Sequence, residues 1–232
     1  MGFIVKNTTF SGPLDLLAPH SCRGCGRIGT PFCECCKNNI LADRKNFCPN
    51  CKHENPTGNC QICDLPKTFL VGERNGILGS LIHDFKYNSV RALARPLAEL
   101  LAVSLPDFKN QEIAIVPLPT ASHHIRSRAF DHTLLLAKHL AHLKGWQVKK
   151  LLLRAKNTVQ VGTDQKTRQT QAKSAYKINP KLNPDQTKTY LILDDVWTTG
   201  SSLKAAIEII KTQTTLTNKN LLVAILAVNS LD

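Results

Sequence analysis

Residues 191–202 read Leu-Ile-Leu-Asp-Asp-Val-Trp-Thr-Thr-Gly-Ser-Ser and hold the chain's densest set of ligand-binding groups. The three apolar residues predict a buried parallel strand, with Asp194 and Asp195 at its end. Thr198, Thr199, Gly200, Ser201 and Ser202 then form a polar turn that opens a helical pattern over residues 203–212. A turn of this kind offers backbone N–H groups, hydroxyls and a helix N-terminus, which together suit a dianionic phosphate. Two neighbouring carboxylates can accept hydrogen bonds from vicinal ribose hydroxyls. A sugar phosphate is the natural guest. The alternative is an ordinary strand–turn–helix, but that needs a single capping hydroxyl.

A second edge begins at Pro117-Leu118-Pro119, which closes a predicted strand over residues 112–116. His123, His124, Arg126 and Arg128 follow. The two guanidinium groups can neutralise a diphosphate, and the stiff turn can present N–H groups to it. The alternative is a solvated, basic helix start. Residues 154–173 are polar and carry Arg154, Lys156, Gln160, Lys166 and Arg168. They read as a flap that would exclude water on closing, or as a surface loop. Lys86, at the end of a helical pattern over residues 77–87, either reaches toward the anion or simply answers the helix C-terminus.

All nine cysteines lie between Cys22 and Cys63. Eight form Cys-x-x-Cys pairs: Cys22/Cys25, Cys33/Cys36, Cys48/Cys51 and Cys60/Cys63. Two such knuckles supply four thiolates in the closed tetrahedral geometry of structural Zn²⁺. Sequential pairing gives one site from Cys22, Cys25, Cys33 and Cys36 and another from Cys48, Cys51, Cys60 and Cys63; interleaved pairing is the alternative. Cys35 is left over. Large apolar residues are few here (Ile28, Phe32, Ile40, Leu41, Phe47, Ile62), so metal would supply the folding free energy.

The 232 residues suffice for one α/β domain and a small module, and a 42% hydrophobic content argues against disorder. A formal charge of +13 favours polyanions. No block of five or six like charges appears, so charge alone does not establish DNA binding. No secretory signal is visible, and the apolar run over residues 221–228 is far too short to span a bilayer, so a cytoplasmic location without membrane insertion is expected. Strands are predicted over residues 68–74, 112–116, 148–153, 175–178, 190–193 and 221–228, and helices over 77–87, 90–103, 131–143 and 203–212. This alternation predicts an α/β, mostly parallel sheet flanked by helices. Residues 1–19 read as an arm, 20–66 as a double zinc-ribbon module, and 67–232 as the main domain.

The stretch over residues 191–202 resembles the phosphoribosyl-pyrophosphate (PRPP) motif of type I phosphoribosyltransferases. With the cysteine module, the 81–87 segment, Val116-Pro117-Leu118-Pro119, Arg126, Arg128, Arg154, Thr158, Gln160 and Arg168, the chain resembles the ComF family of competence-associated proteins (ComFC/GntX-like) from Cys22 to Val228. The resemblance implies a type I phosphoribosyltransferase-like fold and PRPP held with Mg²⁺ by Asp194, Asp195, Val196, Thr198, Thr199, Gly200, Ser201 and Ser202. Asp194 and Asp195 would be the catalytic acids. Pro117, Leu118, Pro119, Arg126, Arg128, Lys86, Arg154, Gln160 and Arg168 would serve the pyrophosphate and flap. It also implies a role in DNA uptake and natural transformation, with single-stranded DNA and a helicase-like protein as partners. Phosphoribosyl transfer, an adaptor that uses PRPP as ligand or signal, and nucleobase salvage are the functions compatible with it. The family commonly has Gly-Phe-Asn-Gln where Ala129-Phe130-Asp131-His132 stands here, Asn and Gly where Gln171 and Ser174 stand, and an acid where Thr167 stands.

Overall fold

The computed structural model describes residues 20–44, 46–109, 111–155 and 175–229. The elements are α1 (Glu34–Ala42), β1 (Lys67–Glu73), α2 (Gly76–Tyr87), a 3₁₀ turn (Arg91–Leu93), α3 (Ala94–Ser104), β2 (Ile113–Pro117), α4 (Ser122–Arg128), α5 (His132–Lys144), β3 (Gln147–Val148), β4 (Leu152–Arg154), β5 (Tyr176–Ile178), β6 (Thr189–Trp197), α6 (Ser201–Gln213), a second 3₁₀ turn (Asn218–Asn220) and β7 (Leu221–Val228).

Five strands form the main sheet in the order β1-β7-β6-β2-β3, and every pair is parallel. Parallel strands bury both faces, which is why β7 is an unbroken apolar run with all eight residues buried. On one face, α2, α3 and α5 pack Leu81, Phe85, Leu97, Leu101 and Leu136 against Leu191, Leu193 and Ala224. On the other, α6 and the β4–β5 ribbon pack Leu203, Ile207, Ile210, Leu152 and Tyr176 against Ile192, Val223 and Ile225. From β2 the chain moves outward to β3, then returns to lay β6 on the opposite side of β2. The order therefore reverses between β2 and β6, and the strand C-termini there flank a crevice of the kind where open α/β sheets take their ligands.

The cysteine region packs on this core. Phe32, Cys22, Cys33 and Cys36 join the cluster that holds Leu78 and Leu81. Arg44 donates from Nε to the Leu70 carbonyl (3.1 Å) and from Nη2 to the Ser104 carbonyl (3.0 Å). Lys37 pairs with Glu34 and with Glu99 of α3.

Several boundaries differ from the sequence reading. The strand expected at 148–153 is two pieces. Val148 packs on the α5 face, whereas Leu151 and Leu152 are buried on the α6 face, so the chain must leave the sheet edge between them. β4 then pairs antiparallel with β5, and neither belongs to the main sheet. β6 does not stop before its acids but runs on to Trp197, because β7 continues to pair with it as far as Val228. Helix α1 forms within the cysteine module, where no helix is predicted, and α4 forms over the basic cluster, in line with the alternative of a basic helix start. The predicted arm and the flap beyond residue 155 lie outside the described residues, apart from residue 175 onward.

Helix α4 ends in the left-handed conformation at Ala129, with φ 61°. A Cβ is costly there, and glycine avoids the clash at some cost in chain entropy. Ala129→Gly should stabilise the protein by about 0.5–1 kcal/mol, read as a higher urea midpoint at unchanged slope.

Candidate functional site

Gly200 shapes the turn after β6. Its φ is 72°, and a Cβ there would lie 2.1 Å from Trp197 Cζ2. Trp197 is itself buried, so its ring forms the floor of the turn. Around that floor Thr198, Thr199, Ser201 and Ser202 are exposed, and Thr199 Oγ1 meets Ser201 Oγ at 2.7 Å. Gly200 is the N-cap of α6 and makes no side-chain hydrogen bond to the first helical turn, which carries no acidic residue. A thirteen-residue helix thus presents its N-terminus beside four hydroxyls, an arrangement suited to an anion.

The two acids lie in adjacent positions of β6, so pleating sends their side chains to opposite faces. Asp195 is buried at 3% exposure. Its Oδ1 lies 2.8 Å from Lys86 Nζ of α2, and its Oδ2 lies 2.7 Å from His132 Nε2 of α5. Burial alone would raise this carboxyl, but His132 and the Lys86 ammonium outweigh it and hold it well below the usual carboxylate range. Lys86 therefore reaches the acid, not the turn. His132 in turn lies 3.0 Å from Arg128 Nη1, and the buried Arg128 guanidinium stacks over the Tyr87 ring at 5.2 Å. Asp194 faces the other way and interacts electrostatically with Tyr176, which also reaches the Ser202 side chain. Arg154 Nη1 donates to the Tyr176 hydroxyl at 3.3 Å. Burial pushes the Asp194 carboxyl up to about 8, and the Asp195 charge adds to the shift.

Across the crevice, β2 holds Pro117 in register with Leu193, and the Leu118 N–H donates to the Leu193 carbonyl at 2.9 Å. Pro119 leads into a turn tied by Thr120 Oγ1, which donates to Asp131 Oδ1 at 3.0 Å, while the same oxygen caps α5 through the Leu134 N–H. Arg126 is exposed on α4, whereas Arg128 is drawn into the interior. Gln160 and Arg168 lie outside the described residues. A shallow cavity of about 670 Å³, lined in part by Arg74, Ser80, His83 and Asn229, opens at the neighbouring strand ends, where the Asn229 N–H donates to the Trp197 carbonyl at 3.0 Å. Sequence reasoning missed Tyr176 and His132 as partners of the acids. His132 was marked only as a departure from the family pattern, and a lone buried tyrosine carries no spacing signal.

The cysteines gather as two clusters, Cys22/Cys25/Cys33/Cys36 and Cys48/Cys51/Cys60/Cys63, with ligand atoms within 4.8 Å of one another in each. The grouping is sequential, not interleaved, and Cys35 stays outside it and exposed. Backbone donors fit a thiolate set. Cys33 and Gly24 N–H groups point at Cys22 Sγ (3.3 and 3.4 Å), and Ile62 and Cys63 N–H groups at Cys60 Sγ (3.4 Å each). The donors from Ile62 and Cys63 draw Cys60 down to about 6. Each cluster could hold a zinc ion on these donor sets.

No family model matches the chain. It is 27% identical over 203 residues to Competence protein F of Haemophilus influenzae (strain ATCC 51907 / DSM 11121 / KW20 / Rd), an alignment that covers 83% of this chain and 84% of that protein. Among the described residues no helix is long and apolar enough to cross a membrane.

Gly200→Ala should force Trp197 out of its seat, lowering stability by about 1–3 kcal/mol and altering the tryptophan emission. The two acids respond to pH in opposite senses. Asp194, held protonated by the fold, contributes stability that is complete below its ordinary 3.8 and lost as pH rises through about 8. The contribution of Asp195 is present above the usual carboxylate range and is lost in strong acid. Asp194→Asn should therefore flatten the fall in urea midpoint between about pH 5 and pH 8, whereas wild type should show it.

Proposed function

Taking as premise a chain of ComF type, with two four-cysteine clusters ahead of a parallel sheet and similarity to a competence protein, we propose that it binds PRPP, or a related ribose 5-phosphate compound, in the crevice between β2 and β6, in the service of DNA uptake. The observation that carries this reading is the uncapped, hydroxyl-lined turn at residues 198–202, at the switch point of the sheet and beside a carboxylate. The turn amides and hydroxyls of Thr198, Thr199, Gly200, Ser201 and Ser202 hold the 5-phosphate, and the Val196 backbone fixes the turn against β7.

The two acids divide the remaining work. Asp195 is committed to Lys86 and His132, and so orients α2 and α5 against the crevice. Asp194, facing Tyr176, takes the ribose hydroxyls. Arg126 and the N–H groups after Pro119 offer charge and donors to the diphosphate. Mg²⁺, when bound with the diphosphate, adds positive charge to its oxygens and keeps most of its waters. As the anomeric carbon becomes cationic, the negative charge building on the departing diphosphate would be met by Arg126 and the metal. No protein nucleophile is needed. Similarity to a competence protein favours a second reading, in which PRPP is a ligand or signal and single-stranded DNA, handed on by a helicase-like protein, is the cargo; the formal charge of +13 supports it.

Calorimetric titration with PRPP and Mg²⁺ tests the shared premise. Wild type should bind, and Asp194→Asn should weaken binding by roughly tenfold, in keeping with loss of a side-chain hydrogen bond. Equal affinity in the variant would remove Asp194 from the site. Pyrophosphate release with nucleobases or single-stranded DNA as acceptor then separates transferase from adaptor.

A further inference from the structure

The second cysteine cluster is strapped to the helix that carries the phosphate turn. Near one end, Asn50 Nδ2 donates to Cys63 Sγ at 3.1 Å while its Oδ1 accepts from Lys204 Nζ at 2.5 Å. Lys204 lies in the first turn of α6, and its ammonium stands 5.7 Å from the centre of the Trp197 ring. That ring is the floor on which Gly200 sits. At the other end, Asp64, next to Cys63, accepts from Asn218 Nδ2 at 2.6 Å and pairs with Lys211 in the last turn of α6 at 3.3 Å.

Two features give this strap a purpose. A lysine in the first turn opposes the helix dipole, so its placement is favourable only when something negative or aromatic compensates it. Here Trp197 and Asn50 do so. The segment that carries Asn50 also has little apolar support of its own. Ile62 is 60% exposed, and the buried Asn55 side chain has no hydrogen-bond partner. Its shape depends on the four thiolates being tied together.

The geometry points to Asn50 and Lys204 as positioning residues that couple metal loading of the Cys48/Cys51/Cys60/Cys63 cluster to the shape of the 197–202 turn. The anion arm of this inference rests on the phosphate-site reading above; the link from metal to turn does not. With metal bound, Asn50 fixes Lys204 over Trp197, and Trp197 holds Gly200 and the open helix end in place. With metal lost, the strap slackens and the turn loses its floor. Linkage is reciprocal, so an anion in the turn must also retain the metal.

The test uses the full chain in a Trp146→Phe background, which leaves Trp197 as the sole tryptophan. Acrylamide quenching of Trp197 is compared in zinc-loaded protein and after zinc is withdrawn by a chelator. Withdrawal should raise quenching at least about twofold, since the ring is buried when strapped. Zinc-loaded Asn50→Ala and Lys204→Met, both changed at exposed positions, should already show the raised quenching while keeping both zinc ions, and withdrawal should then add little. Quenching that ignores zinc, or variants that respond to withdrawal as wild type does, would overturn the link. In the second arm, PRPP or inorganic pyrophosphate should slow zinc release by roughly fivefold in wild type and in neither variant. Quenching that follows zinc, with release indifferent to both anions, would sink the phosphate reading and leave the link standing.

Discussion

A carboxylate buried at the end of the central strand cannot stand alone, and the rest of the site is arranged around that constraint. Asp195 is nearly inaccessible to water, so its charge must be compensated from within. Lys86 and His132 supply the compensation from α2 and α5. His132 leans on Arg128, and Arg128 lies over Tyr87 at the end of α2, closing the circuit. Removing one partner leaves an unpaired charge inside, so the three elements are tied at the switch point more firmly than apolar packing alone would tie them.

That commitment makes the paired acids unequal. A strand directs adjacent side chains to opposite faces, so two neighbouring aspartates meet different surroundings. Asp195 faces the Lys86 ammonium and the His132 ring and stays ionised. Asp194 lies near a tyrosine, and its burial and the Asp195 charge outweigh the pull of the Lys86 ammonium, so it holds its proton more tightly. Two titratable groups pushed in opposite directions are a common sign of divided roles. The basic residues show the same division, with Arg126 at the surface and Arg128 drawn inside.

The cysteine region is not a free appendage. Its first half contributes Phe32 and three cysteines to the core beside α2, and Arg44 closes the carbonyls of Leu70 and Ser104. Its second half makes polar contacts with α6. One half therefore braces the helix that brings Lys86 to Asp195, and the other braces the helix that follows the 198–202 turn. Folding of this region therefore bears on both walls of the crevice.

Periodicity and local chemistry in the chain determined the elements that are buried on both faces or strongly amphipathic. β7 matches its apolar run residue for residue, and α5 and α6 fall within two residues of their patterns. The four Cys-x-x-Cys pairs and the Thr-Thr-Gly-Ser-Ser turn were legible because they are local patterns of residue type and spacing. The sequential grouping of the cysteines, the split of the 148–153 strand across two faces, the extension of β6 past its acids and the fates of Lys86, Arg128 and His132 were decided by tertiary structure. Each of these depends on a partner distant in sequence: β7 for β6, α5 for Asp195, β5 for β4, α6 for Asn50. Local pattern specifies which groups are available, and only the closing of the sheet specifies which of them neutralise one another and which are left to face a ligand.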